Sequence, residues 1–433
     1  MRFLASEAAA GIGARLVGPD VEIDGASFDT RSIRPGQLFI PIVADRDGHE
    51  FIGDAYEAGA SCHLTSRPDD IRGGHTALEV DDTADALLRL AAWARQRSDA
   101  TVVGVTGSVG KTSTKDLIRS ATSASVATTA NERSFNNEQG LPVTILDAPD
   151  DTELLVLEMG MRGFGQIRQL CEIARPSVGV VTAVGHSHTE LVGGIDGVAR
   201  AKRELVEALP GAGTAVLNAD DERVVAMAPH TEARVVTYGT SAEADVRIVD
   251  LALDDAAQAE FTVVSPWGTA AVRLAVPGAH MAANAAAALA VAGSVGVDLA
   301  AASAALADAA VSGMRMERVR LASGALVVND AYNANPTSMA AALDAIAAMS
   351  ARRRIAVLGS MAELDDVEAG HRAVMAHARR VGVEVVAVGT DSYGIAPVDD
   401  VVAALGELDD GDVVLVKASR AAHLESVVDA LRR

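Results

Sequence analysis

The chain has 433 residues, 49% hydrophobic but only 3% aromatic, and a formal net charge of −22. That length predicts two to four domains. The acidity excludes a general nucleic-acid binder, which needs a basic face. No apolar run is long enough to span a membrane, and residues 1–7 lack the apolar stretch of a signal peptide, so a cytoplasmic protein without membrane insertion is expected. Two cysteines, Cys62 and Cys171, are too few for a disulfide framework or a zinc cluster.

Residues 1–98 read as a small α/β domain. A helix is expected over residues 6–12, then two strands joined by a turn over residues 28–42. Asp29, Thr30 and Arg31 lie on that turn, which would either hold a polar ligand or only cap itself. Asp47-Gly48-His49 leads to a second helix over residues 55–58. A helix over residues 83–97, with Leu87, Leu90 and Ala94 at helical spacing, closes the domain. Residues 96–100 are the expected linker.

Residues 99–311 read as the central domain. Strand patterns recur at 101–106, 154–158, 179–184 and 215–218, with helical segments between. This predicts a mostly parallel, doubly wound sheet with ligands beyond the carboxyl ends of its strands. The first strand runs into Gly107-Ser108-Val109-Gly110-Lys111-Thr112-Ser113, and a helix follows through about residue 121. This is the strand, glycine loop, helix layout of a phosphate cradle. Glycine lets backbone N–H groups approach phosphate oxygens, and the helix N-terminus adds partial positive charge. Lys111 can reach the terminal phosphates of a nucleotide, and the Thr112 hydroxyl can ligate Mg²⁺. The usual loop has a glycine five positions before its Gly-Lys pair; here that residue is Val105, and the alternative is a plain glycine-rich turn.

The chain has four lysines, at 111, 115, 202 and 417. Where arginine is the default cation, a lysine points to a requirement of its own. Residues 131–142 form a polar loop, either a substrate loop carrying Asn136 and Asn137 or an ordinary surface loop. Glu158 ends an apolar strand, His186 and His188 follow another, and Lys202 lies on the next helix. Such groups on the same side as one phosphate loop point to a metal–nucleotide site. Residues 245–277 alternate as a small β-meander, and His280-Met-Ala-Ala-Asn284 opens an alanine-rich helix.

Residues 312–433 read as a third, Rossmann-like α/β domain. Strands are expected at 326–329, 355–358, 383–388 and 413–416, and helices at 338–349, 369–381 and 421–431. Asp330-Ala-Tyr-Asn333-Ala-Asn-Pro336 follows the first strand, and Lys417-Ala-Ser419-Arg420 follows the last. The expected fold is therefore α/β with three domains, the central one a phosphate-loop, doubly wound, mostly parallel sheet.

Together these residues resemble the Mur ligase family, ATP-dependent amide-bond ligases of peptidoglycan precursor synthesis. The similarity covers essentially the whole chain and rests on the phosphate loop, Glu158, His188, Lys202, His280 with Asn284, Arg315, Asp330 and Asn333. It implies that Asn284, Arg315, Asp330 and Asn333 complete the ATP site, with Asn333 near adenine, Asp330 near ribose and Arg315 near the phosphates. ATP would then bridge two domains, which predicts closure. Thr112, Glu158, His188 and Lys202 would hold two Mg²⁺ ions. Lys111, His188 and Lys202 would be the catalytic groups. A lysine ammonium has no lone pair for a metal, so the resemblance implies that Lys202 is carbamylated by CO₂. A helix-surface lysine paired with Glu204 or Glu207 is the alternative.

The resemblance further implies that Thr30, Arg31, Asp47 and His49 bind a UDP-sugar. Asn136 and Asn137 would contact substrate, and Lys417, Ser419 and Arg420 the incoming amine. Stretches 107–112, 135–142, 330–336 and 417–420 narrow the expected reaction to addition of D-alanyl-D-alanine to UDP-N-acetylmuramoyl-tripeptide, and a monomer is expected. No Asp-Asn-Pro-Arg motif of the diaminopimelate- or lysine-adding branch is present. Another Mur-type or folylpolyglutamate synthase-like ligase is the alternative. Ala418 stands where the family usually has Gly, Ser360 where an acidic residue is common, Asp365 where Gly is common, and Asn329 where Asp is frequent. All four lie in the part expected to bind the amine.

Overall fold

The structure, a computed structural model, describes residues 1–432 except Arg72, Arg133, Ser134, residues 186–188, Glu363 and Asp365. The chain separates into two compact units. One comprises Met1–Gly104, Val126–Met161 and Gly165–Val178; the other comprises Val105–Ser125, Arg162–Phe164 and Gly179–Arg433.

The first unit contains a five-stranded sheet in the order Arg15–Val17, Ala77–Glu79, Cys62–Thr65, Leu38–Phe39, Ala26–Ser27. The helix Thr83–Arg95 is started by Asp82, whose side chain accepts from the N–H groups of Ala84 and Asp85. It buries Ala86, Leu87, Leu90, Ala91 and Ala94, a stripe at three- and four-residue spacing. The expected helix over 6–12 is Ala5–Ile12, and the one over 55–58 begins earlier, as Ile52–Glu57. The polar loop at 131–142 does not stay a loop to its end. Asn137 Oδ1 accepts from the Gly140 N–H and opens a helix over Gly140–Asp147. Pro142 fits there because the first turn of a helix does not use its N–H groups.

In the second unit the large sheet has, in order, the strands Gly268–Pro277, Gln258–Ser265, Val246–Leu253, Arg234–Gly239 and Thr214–Asn218, and in the first unit Leu154–Glu158 pairs in parallel with Thr128–Ala130. The expected meander is three antiparallel strands. It extends the large sheet because Tyr238 pairs in parallel with Val246. In the second unit the alanine-rich helix His280–Ser294 packs against the helix Lys111–Thr122. Alanines 285 to 288 are all fully buried, so every face of that stretch is covered. Small side chains let the two helices approach closely.

The remaining sheet of this unit has the order Glu317–Arg320, Leu326–Asn329, Asp412–Lys417, Arg353–Leu358, Glu384–Ala387, with the last four strands parallel. Asn329 pairs with Val416, so the residues that follow both strand ends emerge side by side. The helix expected over 421–431 is shorter. A single turn at Arg420–Ala422 stops at His423, which has a left-handed φ of 49°, and the helix proper is Glu425–Leu431.

Candidate nucleotide site

The loop between Thr101–Thr106 and Lys111–Thr122 is built around glycine. Gly110 has φ 82°, and a Cβ there would lie 2.6 Å from Asn284 Oδ1. A Cβ on Gly107 would lie 1.8 Å from Thr182 Oγ1. Both positions thus exclude a side chain and leave backbone N–H groups at the head of the helix. Thr182 was not foreseen as part of the loop. Its hydroxyl lies 2.5 Å from Val109 O and 3.2 Å from Thr106 O. The only sequence sign was a threonine at the end of an apolar strand. Ser108 is also engaged, its N–H donating to Ala183 O at 2.8 Å and its hydroxyl to Gly185 O at 3.1 Å.

Lys111 Nζ donates to Gly107 O at 2.7 Å, folding the side chain back along the loop. Thr112 is 1% and Ser113 9% exposed. Asn284, from the alanine-rich helix, accepts from the Thr114 hydroxyl at 3.2 Å. Asn284 thus touches the helix that carries Lys111 and Thr112. Lys202, on the helix Ile195–Glu207, is buried at 3% exposure. Burial holds its amine well below the ordinary lysine range, and the charge of Lys111 pushes in the same direction. The helix-surface alternative for Lys202 does not hold. His186 and His188 lie outside the described residues.

Asp330 and Lys417 meet where the two strand ends emerge. Lys417 Nζ donates to Asp330 Oδ2 at 2.5 Å and to Asn333 O at 2.8 Å. Asp330 Oδ1 accepts from the Met316 N–H at 3.1 Å. Arg315 lies between Met314 and Met316, both left-handed with φ 58° and 52°. Its guanidinium carbon stands 4.2 Å from the centre of the Tyr332 ring. Left-handed backbone at a non-glycine residue costs roughly 1–2 kcal/mol. Here it turns Arg315 onto Tyr332 and the Met316 N–H towards Asp330. Burial holds the His280 imidazole below its ordinary value, with Asp330 pulling the other way. Ser419 is buried, its hydroxyl accepting from the Ala362 N–H at 2.8 Å. Arg420 reaches Glu425 at 2.8 Å.

In the first unit, Glu158 is 1% exposed. Asn136 Nδ2 donates to Glu158 Oε1 at 2.6 Å, and the Glu158 N–H donates to Asn131 Oδ1 at 2.9 Å. The loop thus fixes the carboxylate. Arg31 pairs with Asp29 at 2.7 Å across the exposed turn that also carries Thr30. Asp47 Oδ1 lies 2.7 Å from Nδ1 of the buried His49, and Arg67 also contacts Asp47. Asp47 thus joins His49 and Arg67 in one polar cluster.

The glycine cradle, with Lys111 at its mouth, fits a polyphosphate. Thr112 in the second unit and Glu158 in the first each carry a hard oxygen of the kind Mg²⁺ takes. Among the described residues, no three His, Cys, Asp or Glu side chains group as a metal site. A Mg²⁺ held largely through phosphate oxygens and water does not require such a group.

Residues 105–292 match the Mur ligase middle domain, and residues 314–420 match the Mur ligase, glutamate ligase domain. The UDP-N-acetylmuramoyl-tripeptide–D-alanyl-D-alanine ligase of Mycobacterium bovis is 39% identical over 93% of this chain and 91% of its own. The crystal structure of MurF from Acinetobacter baumannii superposes with a TM-score of 0.86 at 26% identity, covering 100% of this chain and 99% of that one. MurF ligase from Thermotoga maritima in complex with ADP gives a TM-score of 0.82 at 27% identity, covering 94% of this chain and 97% of that one.

Proposed function

Since the chain belongs to the Mur ligase family, we propose that it joins D-alanyl-D-alanine to UDP-N-acetylmuramoyl-tripeptide with consumption of ATP. The observation that carries this reading is the near-full-length match to a ligase of that name, on a chain whose phosphate loop keeps Lys111 and Thr112.

A carboxylate is a poor electrophile, because amide formation would have to expel oxide. The carboxylate oxygen of the tripeptide attacks the γ-phosphorus of ATP; ADP leaves and an acyl phosphate remains. The dipeptide amine then attacks the acyl carbon, phosphate departs with the bonding electrons, and the amine loses a proton. The first step brings two anions together, so it needs positive charge and alignment. Lys111 supplies that charge beside the loop N–H groups. Mg²⁺ would neutralise phosphate charge and fix the oxygens in line; Thr112, Glu158, His188 and a carbamylated Lys202 are its proposed donors. Burial favours the neutral amine of Lys202, the form that adds to CO₂.

Residues 1–98 are assigned to the UDP-sugar, through Thr30, Arg31, Asp47 and His49. Residues 99–311 are assigned to ATP, with Asn136 and Asn137 assigned to substrate. Residues 312–433 are assigned to the incoming amine through Ser419 and Arg420, and to completing the ATP site through Arg315, Asp330 and Asn333. We assign a cytoplasmic, monomeric enzyme acting on small molecules; no helix among the described residues is long and apolar enough to cross a membrane. Phosphate release from ATP should require both the tripeptide precursor and D-alanyl-D-alanine. Equal turnover with a free amino acid in place of the dipeptide would overturn the assignment.

A further inference from the structure

Lys115 is the one lysine that the nucleotide site leaves unexplained. It lies on the phosphate-loop helix, 2% exposed, with Nζ 2.9 Å from Asp116 Oδ1. A buried ion pair costs desolvation and is weak evidence of a stabilising role. The other oxygen of Asp116 indicates what the pair holds. Asp116 Oδ2 accepts from both the N–H of Ser312, at 2.7 Å, and its hydroxyl, at 2.8 Å. Ser312 is 196 positions away in sequence. It immediately precedes the segment in which the Met314 N–H donates to Glu317 Oε2 at 3.1 Å and the Met316 N–H to Asp330 Oδ1, also at 3.1 Å.

We propose that Asp116 is a positioning residue. Held by Lys115, it anchors Ser312 to the helix that carries Lys111 and Thr112, and so sets where Arg315 and Asp330 stand relative to the phosphate loop. This rests on the nucleotide-site reading above. Two charge-assisted hydrogen bonds on one carboxylate oxygen fix both the backbone and the side chain of Ser312. The left-handed turns at Met314 and Met316 then start from a fixed point.

The test uses the full chain with Ser312→Ala, Ser312→Thr and the double variant Lys115→Met/Asp116→Leu, which replaces the ion pair by apolar groups of similar size. Ser312→Ala should lower kcat about tenfold with KM for the tripeptide precursor unchanged, and Ser312→Thr should restore it. The double variant should lose more than tenfold while remaining folded. Independently of turnover, amide hydrogen exchange at Met314 and Met316 should quicken about tenfold in Ser312→Ala. Wild-type kcat and wild-type exchange in both Ser312→Ala and the double variant would overturn the proposal. So would a loss of kcat that follows the melting temperature alone and is not rescued by threonine. A wild-type chain inactive on both substrates would instead overturn the assigned reaction, with the exchange measurement still reading the anchor.

Discussion

The charge of Lys111 bears directly on Lys202, adding to the burial that already disfavours the protonated amine. In the unfolded chain Lys202 returns to its ordinary value of 10.5. Between the lowered folded value and 10.5, the unfolded chain binds a proton that the folded chain does not. Stability therefore rises with pH through that window, and at neutral pH this lysine destabilises the fold. In CO₂-depleted buffer, Lys202→Met should melt at a higher temperature at pH 7 and show a flatter rise towards pH 10. Phosphate release by Lys202→Ala should fall on the order of 10³-fold and be partly restored by short-chain carboxylates. An unchanged stability–pH slope in Lys202→Met would remove the buried-amine account, and failed rescue would count against the carbamate.

Gly107 and Thr182 make a second test, one of shape. An added Cβ must displace the Thr182 hydroxyl, which would otherwise lie 1.8 Å away. Gly107→Ala should cost about 1–3 kcal/mol of stability and weaken ADP binding at least tenfold, as read by calorimetry. Gly73→Ala, whose Cβ would meet nothing within 4 Å, is the control and should change neither quantity. Undiminished ADP affinity in Gly107→Ala would mean that the loop does not cradle the phosphates.

The phosphate loop was legible because its signal is local: the strand Thr101–Thr106, two glycines, Lys111 and the following helix are consecutive. Leu154–Glu158 and Leu326–Asn329 were equally plain, being short, wholly apolar strands ended by a polar residue. Thr182, Asp116 and Ser312 were not legible. Each acts through a partner distant in sequence, and a single threonine, aspartate or serine carries no periodicity. The helix Gly140–Asp147 was hidden by Pro142 and by Asn137, which reads as a loop residue until its side chain is seen accepting from the Gly140 N–H. Lys417 was assigned to the incoming amine on motif alone. In the folded chain its ammonium also pairs with Asp330, a partner 87 positions away that the motif did not announce.

Asn136 and Glu158 give a metal-linked prediction. The 2.6 Å bond from Asn136 Nδ2 aims a carboxylate that is nearly inaccessible to water. Groups that orient a metal ligand typically govern metal affinity 10- to 100-fold. Asn136→Ala should therefore raise the Mg²⁺ concentration for half-maximal phosphate release about tenfold, and change the KM for D-alanyl-D-alanine little. A Mg²⁺ titration that superposes on wild type would show that Asn136 does not orient the ligand.

The last prediction concerns acid stability and lies away from the nucleotide. His63 is fully buried on the strand Cys62–Thr65, and burial, reinforced by His75, lowers its pKa to about 4. The Tyr56 hydroxyl donates to Thr76 O at 2.7 Å, so its oxygen accepts from His63 Nδ1 at 2.9 Å. His63 Nε2 has no hydrogen-bond partner among the described residues. His75 stacks on the Tyr56 ring, with centroids 3.6 Å apart. A second proton on His63 would place an N–H where nothing accepts it. Between pH 6.5 and about 4 the unfolded chain takes up this proton and the folded chain does not. Stability is therefore lost as pH falls through that window, by about 3 kcal/mol at most. Urea midpoints at pH 7 and pH 4.5 should differ markedly in wild type and much less in His63→Phe, which keeps the ring volume without the titration. The same acid loss in both proteins would place the acid-sensitive group elsewhere in the chain.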